Sequence, residues 1–248
     1  MKKSFSLFRP IHDHISWFRF WVESFGQSKK YIFLIDGIKF LLRKNTSDHL
    51  VINEIFKKTV YGEKPNGIVF DIGANIGAYT LYGAQVAERI FAFEPESSNY
   101  ECLQKNISLN SFKNINVFKK AIGDKKGNVF LYKGYNNKAM SSTTIMTSCN
   151  TERVEMISLE DAVILSGVDH IDTLKIDIEG GEYRLIENVP DYLFEKIDSI
   201  NMEFHRVPGK KIDNLIHILK QNGYEINIER KFTGIVSGTG IIKARKMQ

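Results

Sequence analysis

The stretch from residue 67 to residue 80, GIVFDIGANIGAYT, restricts the possible folds of this chain more than any other part of the sequence. Its apolar run at residues 68–70 ends in Asp71, which is typical of a short strand covered on both faces of a sheet. Gly73 and Gly77 follow, at positions where the backbone must turn tightly or approach a ligand closely. This strand–turn–helix pattern predicts a nucleotide-type binding site at the carboxyl edge of a parallel sheet.

The turn does not match the phosphate-binding fingerprint of a dinucleotide site. That fingerprint has the spacing G-x-G-x-x-G, whereas three residues, Ala74 and Asn75 among them, separate Gly73 from Gly77 in this chain. The carboxylate of Asp71 would also repel a pyrophosphate, which needs bare backbone N–H groups and the positive end of a helix. A ligand with an ammonium and a sulfonium group but no phosphate fits better. We therefore predict that the site binds S-adenosylmethionine (SAM), with Asp71 near its amino acid end.

The next predicted strand supports this interpretation. It spans residues 89–93 and is followed by Glu94 and Pro95, about twenty residues after the glycine turn, where a carboxylate can accept hydrogen bonds from both ribose hydroxyls. The alternative is that Asp71 and Glu94 are solvated carboxylates at the edge of a sheet. The predicted donor-binding residues are Asp71, Gly73, Ala74, Asn75, Gly77, Thr80, Glu94, Pro95 and, from a later strand, Asp177.

Composition and charge exclude several other classes of protein. The 248 residues are 43% hydrophobic and 25% charged, as in ordinary globular proteins, and the net charge of +5 comes from lysines spread along the chain, so no nucleic-acid partner is predicted. Cys102 and Cys149 lie in unrelated segments, which argues against a disulfide framework or a zinc cluster. No apolar run approaches the ~20 residues of a transmembrane helix, and Arg9 and Asp13 interrupt any signal-peptide core, so we expect a cytoplasmic protein.

Residues 1 to about 30 are rich in aromatic side chains and form a candidate helix with two apolar stripes. The stripes consist of Ile11, Ile15, Phe18 and Val22, and of Trp17, Trp21 and Phe25. Such a helix can pack on the body, close over a substrate, join a second subunit in a homodimer, or make weak contact with a membrane surface. The sequence leaves these alternatives open.

Two strand-like runs joined by Asp36-Gly37 predict a hairpin, and Ser47 predicts the start of a helix that ends near Val60. We therefore assign residues 1–62 to an N-terminal helix and hairpin extension. Residues 63–248 are assigned to the domain that binds SAM.

From residue 67 the predicted elements alternate between strand and helix, which indicates an α/β fold with a parallel sheet and helices on both faces. A capping box of Ser98 and Glu101 predicts the start of the second helix. Residues 133–152 are polar and predict either a functional loop or a surface excursion. The remaining predicted strands are 115–122, 129–132, 172–182 with its exit, 197–204, 224–230 and 235–244, and a further helix covers 212–219.

Acidic residues also end the fourth and fifth strands of the predicted sheet. Asp177 and Glu179 lie two residues apart on a chain predicted to be extended, so they are expected to share a face, and Glu182 begins the next helix. Glu203 and His205 stand at the end of the fifth strand. Methyl transfer to a hydroxyl needs a base for the departing proton, and we predict Asp177 first and His205 second for that role. Glu179 and Glu182 are predicted to hold substrate hydroxyls or to order the turn. Glu182 can equally serve the helix dipole, and His205 can be structural.

Clustered carboxylates suit a hard cation such as magnesium, but no spacing in the sequence dictates a metal. The sequence therefore leaves a divalent metal open without predicting one, and no metal-binding residues are assigned.

Three segments together resemble the FkbM family of SAM-dependent methyltransferases: DIGANIG at residues 71–77, FEP at 93–95 and LKIDIEGGE at 174–182. The resemblance covers roughly residues 35–205, and residue 181 is glycine where the family usually has alanine. It implies the doubly wound, mostly parallel seven-stranded sheet of class I (Rossmann-like) methyltransferases. It also implies SAM as donor and oxygen acceptors on sugars, polyketides or other small metabolites.

We therefore predict a SAM-dependent O-methyltransferase acting on a hydroxyl of a sugar, glycan or secondary metabolite. Relatives that methylate amino groups carry an Asn/Asp-Pro-Pro-aromatic turn where this chain has residues 177–180, DIEG. One alternative is an NAD-linked sugar oxidoreductase or epimerase, which would need a Tyr-x-x-x-Lys pair and a complete glycine fingerprint. Another is a non-catalytic SAM-binding module that uses its aromatic N-terminus to contact a partner or membrane.

Overall fold

A computed structural model describes residues 30–132, 151–230 and 239–247. The strands are β1 Lys30–Ile35, β2 Ile38–Arg43, β3 Ile68–Ile72, β4 Arg89–Phe93, β5 Ile115–Phe118, β6 Ala121–Gly123, β7 Gly127–Tyr132, β8 Thr151–Ser158, β9 Ile171–Ile176, β10 Ile197–Phe204, β11 Tyr224–Arg230 and β12 Gly240–Lys246. The α-helices are α1 Asp48–Ile52, α2 Ala78–Gly83, α3 Ser97–Ser108, α4 Leu159–Ser166, α5 Glu182–Glu187, α6 Asp191–Phe194 and α7 Ile212–Gln221.

Seven strands form the main sheet in the order β11-β12-β10-β9-β3-β4-β5. The pairs from β10 through β9, β3 and β4 to β5 are all parallel, whereas β12 is antiparallel to both of its neighbours. The sheet is therefore mostly parallel, as predicted. Strand β3 lies near its middle, so the turn after β3 sits between the carboxyl ends of β4 and β9.

The hydrophobic core lies on both faces of this sheet. Side chains alternate between faces along a strand, and Phe70 and Ile72 of β3 belong to one buried cluster while Val69 belongs to another. Asp71 has the parity of Val69 and shares its face. The sheet is thus doubly wound, and the carboxylate of Asp71 is buried in the same layer as Val69.

The hairpin predicted at Asp36-Gly37 is present, with β1 and β2 antiparallel. Its buried residues Phe40 and Leu42 belong to the same hydrophobic cluster as Val69 of β3 and Ile90 of β4. The described part of the extension therefore packs directly on the sheet. The division of the chain at residues 62 and 63 remains a prediction, and the predicted N-terminal helix lies outside the described residues.

Several predicted boundaries were wrong. The predicted third strand at 115–122 is two strands, because β5 joins the main sheet and β6 joins another. Helix α3 begins at Ser97, and its N-cap is Glu96, whose side chain accepts a hydrogen bond from the Asn99 N–H, so the capping box of Ser98 and Glu101 does not form. Helix α1 is short and continues into a π-helical segment, Asn53–Lys57.

Besides the hairpin and the main sheet, the described residues contain a three-stranded sheet in the order β6-β8-β7, which was not predicted. Strand β8 leads directly into α4, whose start is fixed by a capping box of Ser158 and Asp161. Residues 151 and 152 of the predicted polar loop belong to β8, and residues 133–150 lie outside the described ranges. The last strand, predicted at 235–244, is β12 at Gly240–Lys246. Within the described ranges, no helix is long and apolar enough to cross a membrane.

We expect Phe40→Ala to lower the free energy of unfolding of the whole chain by about 3–5 kcal/mol, because it leaves a cavity in a core shared by hairpin and sheet. Phe40 is fully buried in that core. Urea unfolding followed by far-UV circular dichroism should show one transition. The control is Phe130→Ala, because Phe130 is 56% exposed. This substitution should lower the free energy of unfolding by at most about 0.5 kcal/mol. A separate early transition in the Phe40 variant would contradict the shared core.

Candidate functional site

The turn after β3 is held against its two neighbouring strands. The N–H groups of Gly73 and Ala74 both donate to the carbonyl oxygen of Phe93 at the end of β4, at 3.0 Å. On the other side, a Cβ at Gly73 would lie 1.8 Å from the carbonyl oxygen of Asp177, and the φ of Gly73 is +77°. Asn75 also has a left-handed backbone, with a φ of +52°. The close approach of Asp177 and the left-handed φ thus require glycine at residue 73, and asparagine at residue 75 is among the residues that adopt a left-handed backbone most readily.

Asp71 is completely buried and is neutralised from within the protein. Its carboxylate accepts a hydrogen bond from the Thr80 hydroxyl at 2.5 Å and forms an ion pair with the Lys175 ammonium at 3.1 Å. Lys175 also donates to the Gly73 carbonyl oxygen at 2.7 Å and lies 4.0 Å from a carboxylate oxygen of Asp177. Burial lowers the pKa of Lys175, but the charges of Asp71 and Asp177 outweigh burial and raise that pKa above its usual value.

Glu94 stands at the end of β4 and faces the same turn. Its two carboxylate oxygens accept hydrogen bonds from the N–H groups of Asn75, at 2.8 Å, and Glu96, at 2.9 Å. Burial raises the pKa of Glu94 to about 7, although these two hydrogen bonds oppose the shift. The carboxylate therefore helps to fix the turn, and Pro95 beside it is half-buried.

Across the turn from Glu94, acidic groups from β9 and β10 meet a tyrosine from the extension. The Tyr61 hydroxyl is within hydrogen-bond distance of carboxylate oxygens of Asp177, at 3.3 Å, and Glu203, at 3.4 Å. The Tyr61 ring packs edge-on against Tyr79 of α2. Burial, followed by the charges of these carboxylates, raises the pKa of Tyr61 well above its usual value, so its hydroxyl remains a donor.

Glu182 organises the other half of this group. It is fully buried, and its Oε1 accepts hydrogen bonds from the N–H groups of Ile178, at 3.2 Å, and Gly180, at 3.1 Å. The same oxygen lies 2.9 Å from Nδ1 of His205, and Nε2 of that ring lies 3.3 Å from Glu179. One oxygen of Glu182 therefore both fixes the turn after β9 and orients His205.

The charges in this group change the protonation of its members. Burial, helped by the charge of Asp177, raises the pKa of Glu179 to about 8. Burial lowers the pKa of His205, but the hydrogen bond and charge of Glu182, with the charges of Glu179 and Asp177, raise it to about 9. His205 is thus mainly an imidazolium at neutral pH, and the ordinary pKa on which its predicted role as a base rested does not hold in this site.

This combination of sheet order, glycine turn and strand-end acids agrees with a match to the methyltransferase FkbM domain over residues 71–226. The chain belongs to the FkbM methyltransferase family. It is therefore a SAM-dependent methyltransferase of class I fold, which decides against the NAD-linked alternative.

Individual relatives of this FkbM methyltransferase are distant. Methyltransferase 1 of Beauveria bassiana is 23% identical over 71% of this chain and 81% of the relative. The 31-O-demethyl-FK506 methyltransferase FkbM of Streptomyces tacrolimicus is 24% identical over 67% of this chain and 76% of the relative. The structure of M. jannaschii TYW2 in complex with AdoMet superposes with a TM-score of 0.51 at 18% identity, over 90% of this chain and 89% of that one.

The predicted site residues of this FkbM methyltransferase fall into two neighbouring groups. The donor-side group contains Asp71, Gly73, Ala74, Asn75, Gly77, Thr80, Glu94 and Pro95. The acceptor-side group contains Asp177, Glu179, Glu182 and His205. They meet where the Asp177 carbonyl packs on Gly73. Their individual roles remain predictions.

Tyr61 and the role of Lys175 were not predicted from the sequence. A lysine between Leu174 and Ile176 in a buried strand was a usable signal, because an unpaired charge at such a position is costly. Tyr61 gave no signal, since it lies 116 residues from Asp177 and belongs to no motif.

Among the described residues, two groups of side chains have ligand atoms close enough to hold a metal ion. One is Asp177, Glu179 and His205 on the acceptor side, and the other is His170, Asp172 and Asp198 at the amino ends of β9 and β10. In the second group, Asp172 accepts a hydrogen bond from the Ile68 N–H at 2.6 Å, so it already joins two strands.

We expect Gly73→Ala to lower the free energy of unfolding by about 3 kcal/mol or more and to weaken SAM binding at least tenfold. The new Cβ would meet the Asp177 backbone, which cannot move aside as a flexible side chain can. Urea denaturation and calorimetric titration with SAM measure the two effects. Gly127→Ala is the matched control, because a Cβ there meets no heavy atom within 4 Å. Equal behaviour of the two variants would contradict the tight packing of the turn.

Proposed function

We propose that this methyltransferase transfers the methyl group of SAM to a hydroxyl of a sugar, glycan or secondary metabolite. The observation that carries the proposal is the position of the Asp177 carboxylate, which lies 4.0 Å from the Lys175 ammonium, while the same ammonium donates to the Gly73 carbonyl oxygen of the turn at 2.7 Å. A base at that point can take the proton of a hydroxyl that approaches the sulfonium methyl group in line. Small molecules of this kind are the proposed partners, and we propose cytoplasmic action by a monomer or a homodimer.

In the proposed reaction, a lone pair of the acceptor oxygen forms a bond to the methyl carbon of SAM. The bond from that carbon to sulfur breaks, and its electron pair stays on sulfur, giving S-adenosylhomocysteine. The hydroxyl proton passes to the carboxylate of Asp177. Tyr61 donates towards that carboxylate at 3.3 Å and fixes its direction, and the Lys175 ammonium lies 4.0 Å from it.

Two features favour an oxygen acceptor. The turn after β9 presents carboxylates, which accept protons and hydrogen bonds from hydroxyls, in the place where amino-group methyltransferases carry a Pro-Pro-aromatic turn. A relative named for 31-O-demethyl-FK506 as its substrate also belongs to this family. Glu179 and His205 are proposed to hold further hydroxyls of the acceptor, and Glu182 is proposed to hold His205 in place.

A screen with methyl-labelled SAM tests the chemical class of the acceptor. Hydroxylated sugars, lipid-linked glycans and polyketides form the expected set, and matched amines and carboxylic acids form the comparison set. We expect label in a methyl ether that survives mild alkali, whereas a methyl ester would be released. Label confined to amines or to alkali-labile esters would overturn the hydroxyl assignment and leave methyl transfer intact.

We expect Asp177→Asn to lower the turnover number by about 10²–10⁴-fold while the dissociation constant for SAM changes little. The amide keeps the size of the side chain but cannot accept the hydroxyl proton. Turnover is followed as S-adenosylhomocysteine formed with the best acceptor of the screen, and SAM affinity is followed by calorimetry. Asp198→Asn, at an exposed carboxylate remote from the donor turn, should retain full turnover. Full turnover of the Asp177 variant would remove it as the base.

The pKa of about 7 at Glu94 predicts pH-dependent donor binding. Ribose hydroxyls donate to the ionised carboxylate, so SAM binds the deprotonated form better and its affinity should rise through that pKa. Between pH 6 and pH 8 the ionised fraction, and with it the affinity, grows about tenfold. Calorimetry at three pH values should show this rise in the native protein, and weaker binding with little pH dependence in Glu94→Gln. A parallel pH profile in both proteins would remove Glu94 from the ribose site.

A further inference from the structure

The acceptor-side group presents ligand atoms of three side chains to a common point. One carboxylate oxygen each of Asp177 and Glu179 and one ring nitrogen of His205 all lie within 4.8 Å of one another. In an octahedral site with metal–ligand bonds of about 2.1 Å, two neighbouring ligand atoms lie about 3 Å apart and two opposite ones about 4 Å apart. The 3.3 Å between Nε2 of His205 and Glu179 matches a neighbouring pair.

Glu182 supplies an independent indication of a cation. Its Oε1 orients His205 through Nδ1 at 2.9 Å, which leaves Nε2 for the side of the ring that faces Glu179. This carboxylate–histidine arrangement is the usual outer shell of a metal-binding histidine. The other oxygen of Glu182, Oε2, is buried and has no hydrogen-bond partner within the described part of the chain. A fully buried carboxylate with an unsatisfied oxygen is costly unless positive charge lies close by, and His205 brings such charge either as an imidazolium or together with a bound cation.

The kinds of side chain in the group point the same way. The carboxyl groups of Asp177, Glu179, Glu182 and Glu203 lie within hydrogen-bonding or ion-pair distance of His205 or of Tyr61. The ammonium of Lys175 lies closer to Asp71, at 3.1 Å, than to Asp177, at 4.0 Å. Carboxylate oxygens together with one imidazole nitrogen are a set of ligands that divalent metals accept.

We propose that Asp177, Glu179 and His205 bind one divalent cation, with two carboxylates and one imidazole best suited to a metal such as Mn²⁺. An imidazole binds a metal through a ring nitrogen that carries no proton, so the cation takes the place of the proton on Nε2 of His205. The inference rests on the proposed function, because the proposed role of the metal is to bind the oxygen of the acceptor hydroxyl. The binding of the metal itself is independent of SAM.

Bound at this point, the cation coordinates the acceptor oxygen and lowers the pKa of its hydroxyl, as divalent metals do for bound water. The hydroxyl proton passes to the oxygen of Asp177 that does not hold the metal. The oxygen then attacks the methyl carbon of SAM, and the sulfur keeps the electron pair of the broken bond. The metal is neither oxidised nor reduced.

Titration of the dialysed full-length chain with Mn²⁺ tests the proposal. Electron paramagnetic resonance measures the free ion, so the experiment needs neither SAM nor an acceptor. We expect one Mn²⁺ per chain, and we expect His205→Ala to weaken binding at least tenfold. Glu182→Gln, which keeps the size of the side chain, should weaken it about 10–100-fold through the orientation of His205.

The second group of metal-ligating side chains provides the matched control. His170→Ala removes a histidine beside two aspartates at the opposite edge of the sheet and should leave Mn²⁺ affinity unchanged. Binding that is lost in this variant and retained in His205→Ala would overturn the proposal, as would no binding by the native chain at millimolar Mn²⁺. Thermal unfolding of each variant within a few degrees of the native midpoint shows that the chain is folded.

Calorimetry with SAM, in the presence and absence of EDTA, separates this inference from the proposed function. SAM binding without Mn²⁺ binding overturns the metal site alone. Mn²⁺ binding without SAM binding overturns the methyltransferase assignment of the donor side. With both established, we expect EDTA to abolish methyl transfer to the best acceptor and Mn²⁺ to restore it, whereas full transfer in EDTA would contradict the role of the metal.

Discussion

The buried ion pair between Lys175 and Asp71 holds the two halves of the site together. The two residues are direct partners in the register of β9 and β3, and both side chains lie in an apolar layer where neither charge is tolerated alone. Removing one partner of such a pair costs about 3–5 kcal/mol, because the other charge remains buried. Lys175 also donates to the Gly73 carbonyl and lies near Asp177, so a single ammonium fixes the donor turn relative to the proposed base.

This ion pair changes the meaning of the strand-end acid. From sequence, Asp71 was expected to receive the ammonium of SAM through its own charge. In the structure, Lys175 and Thr80 already occupy its carboxylate, so that charge is balanced before any donor arrives. The negative charge that remains near the turn comes instead from Glu94 and from the acceptor side. Direct contact between Asp71 and SAM stays a prediction. The part that Asp71 plays in the architecture of the turn follows from its contacts with Thr80 and Lys175.

The sequence predicted best what short segments decide by themselves. The strands around β3 were found because apolar runs ended by acids are local features, and the parallel order follows from their alternation with helices. The three-stranded sheet was missed because β7 and β8 pair across a long separation in the chain. The spacing of Asp177 and Glu179 was read as an extended strand, yet β9 ends at Ile176 and Glu179 is left-handed, with a φ of +52°. Only tertiary packing determines that bend.

The same distinction between local and long-range contacts separates the two sides of the site. The donor turn is built from residues close in sequence, and its contacts to Phe93 and Asp177 are made by backbone atoms. The acceptor side joins side chains that are far apart in the chain, with Tyr61 more than 100 residues from its partners. Where no Cβ is excluded, as it is at Gly73, backbone contacts tolerate changes of side chain, whereas side-chain contacts do not. Substitutions at positions such as Tyr61 and His205 therefore alter the acceptor-side group while the backbone contacts of the turn after β3 stay in place.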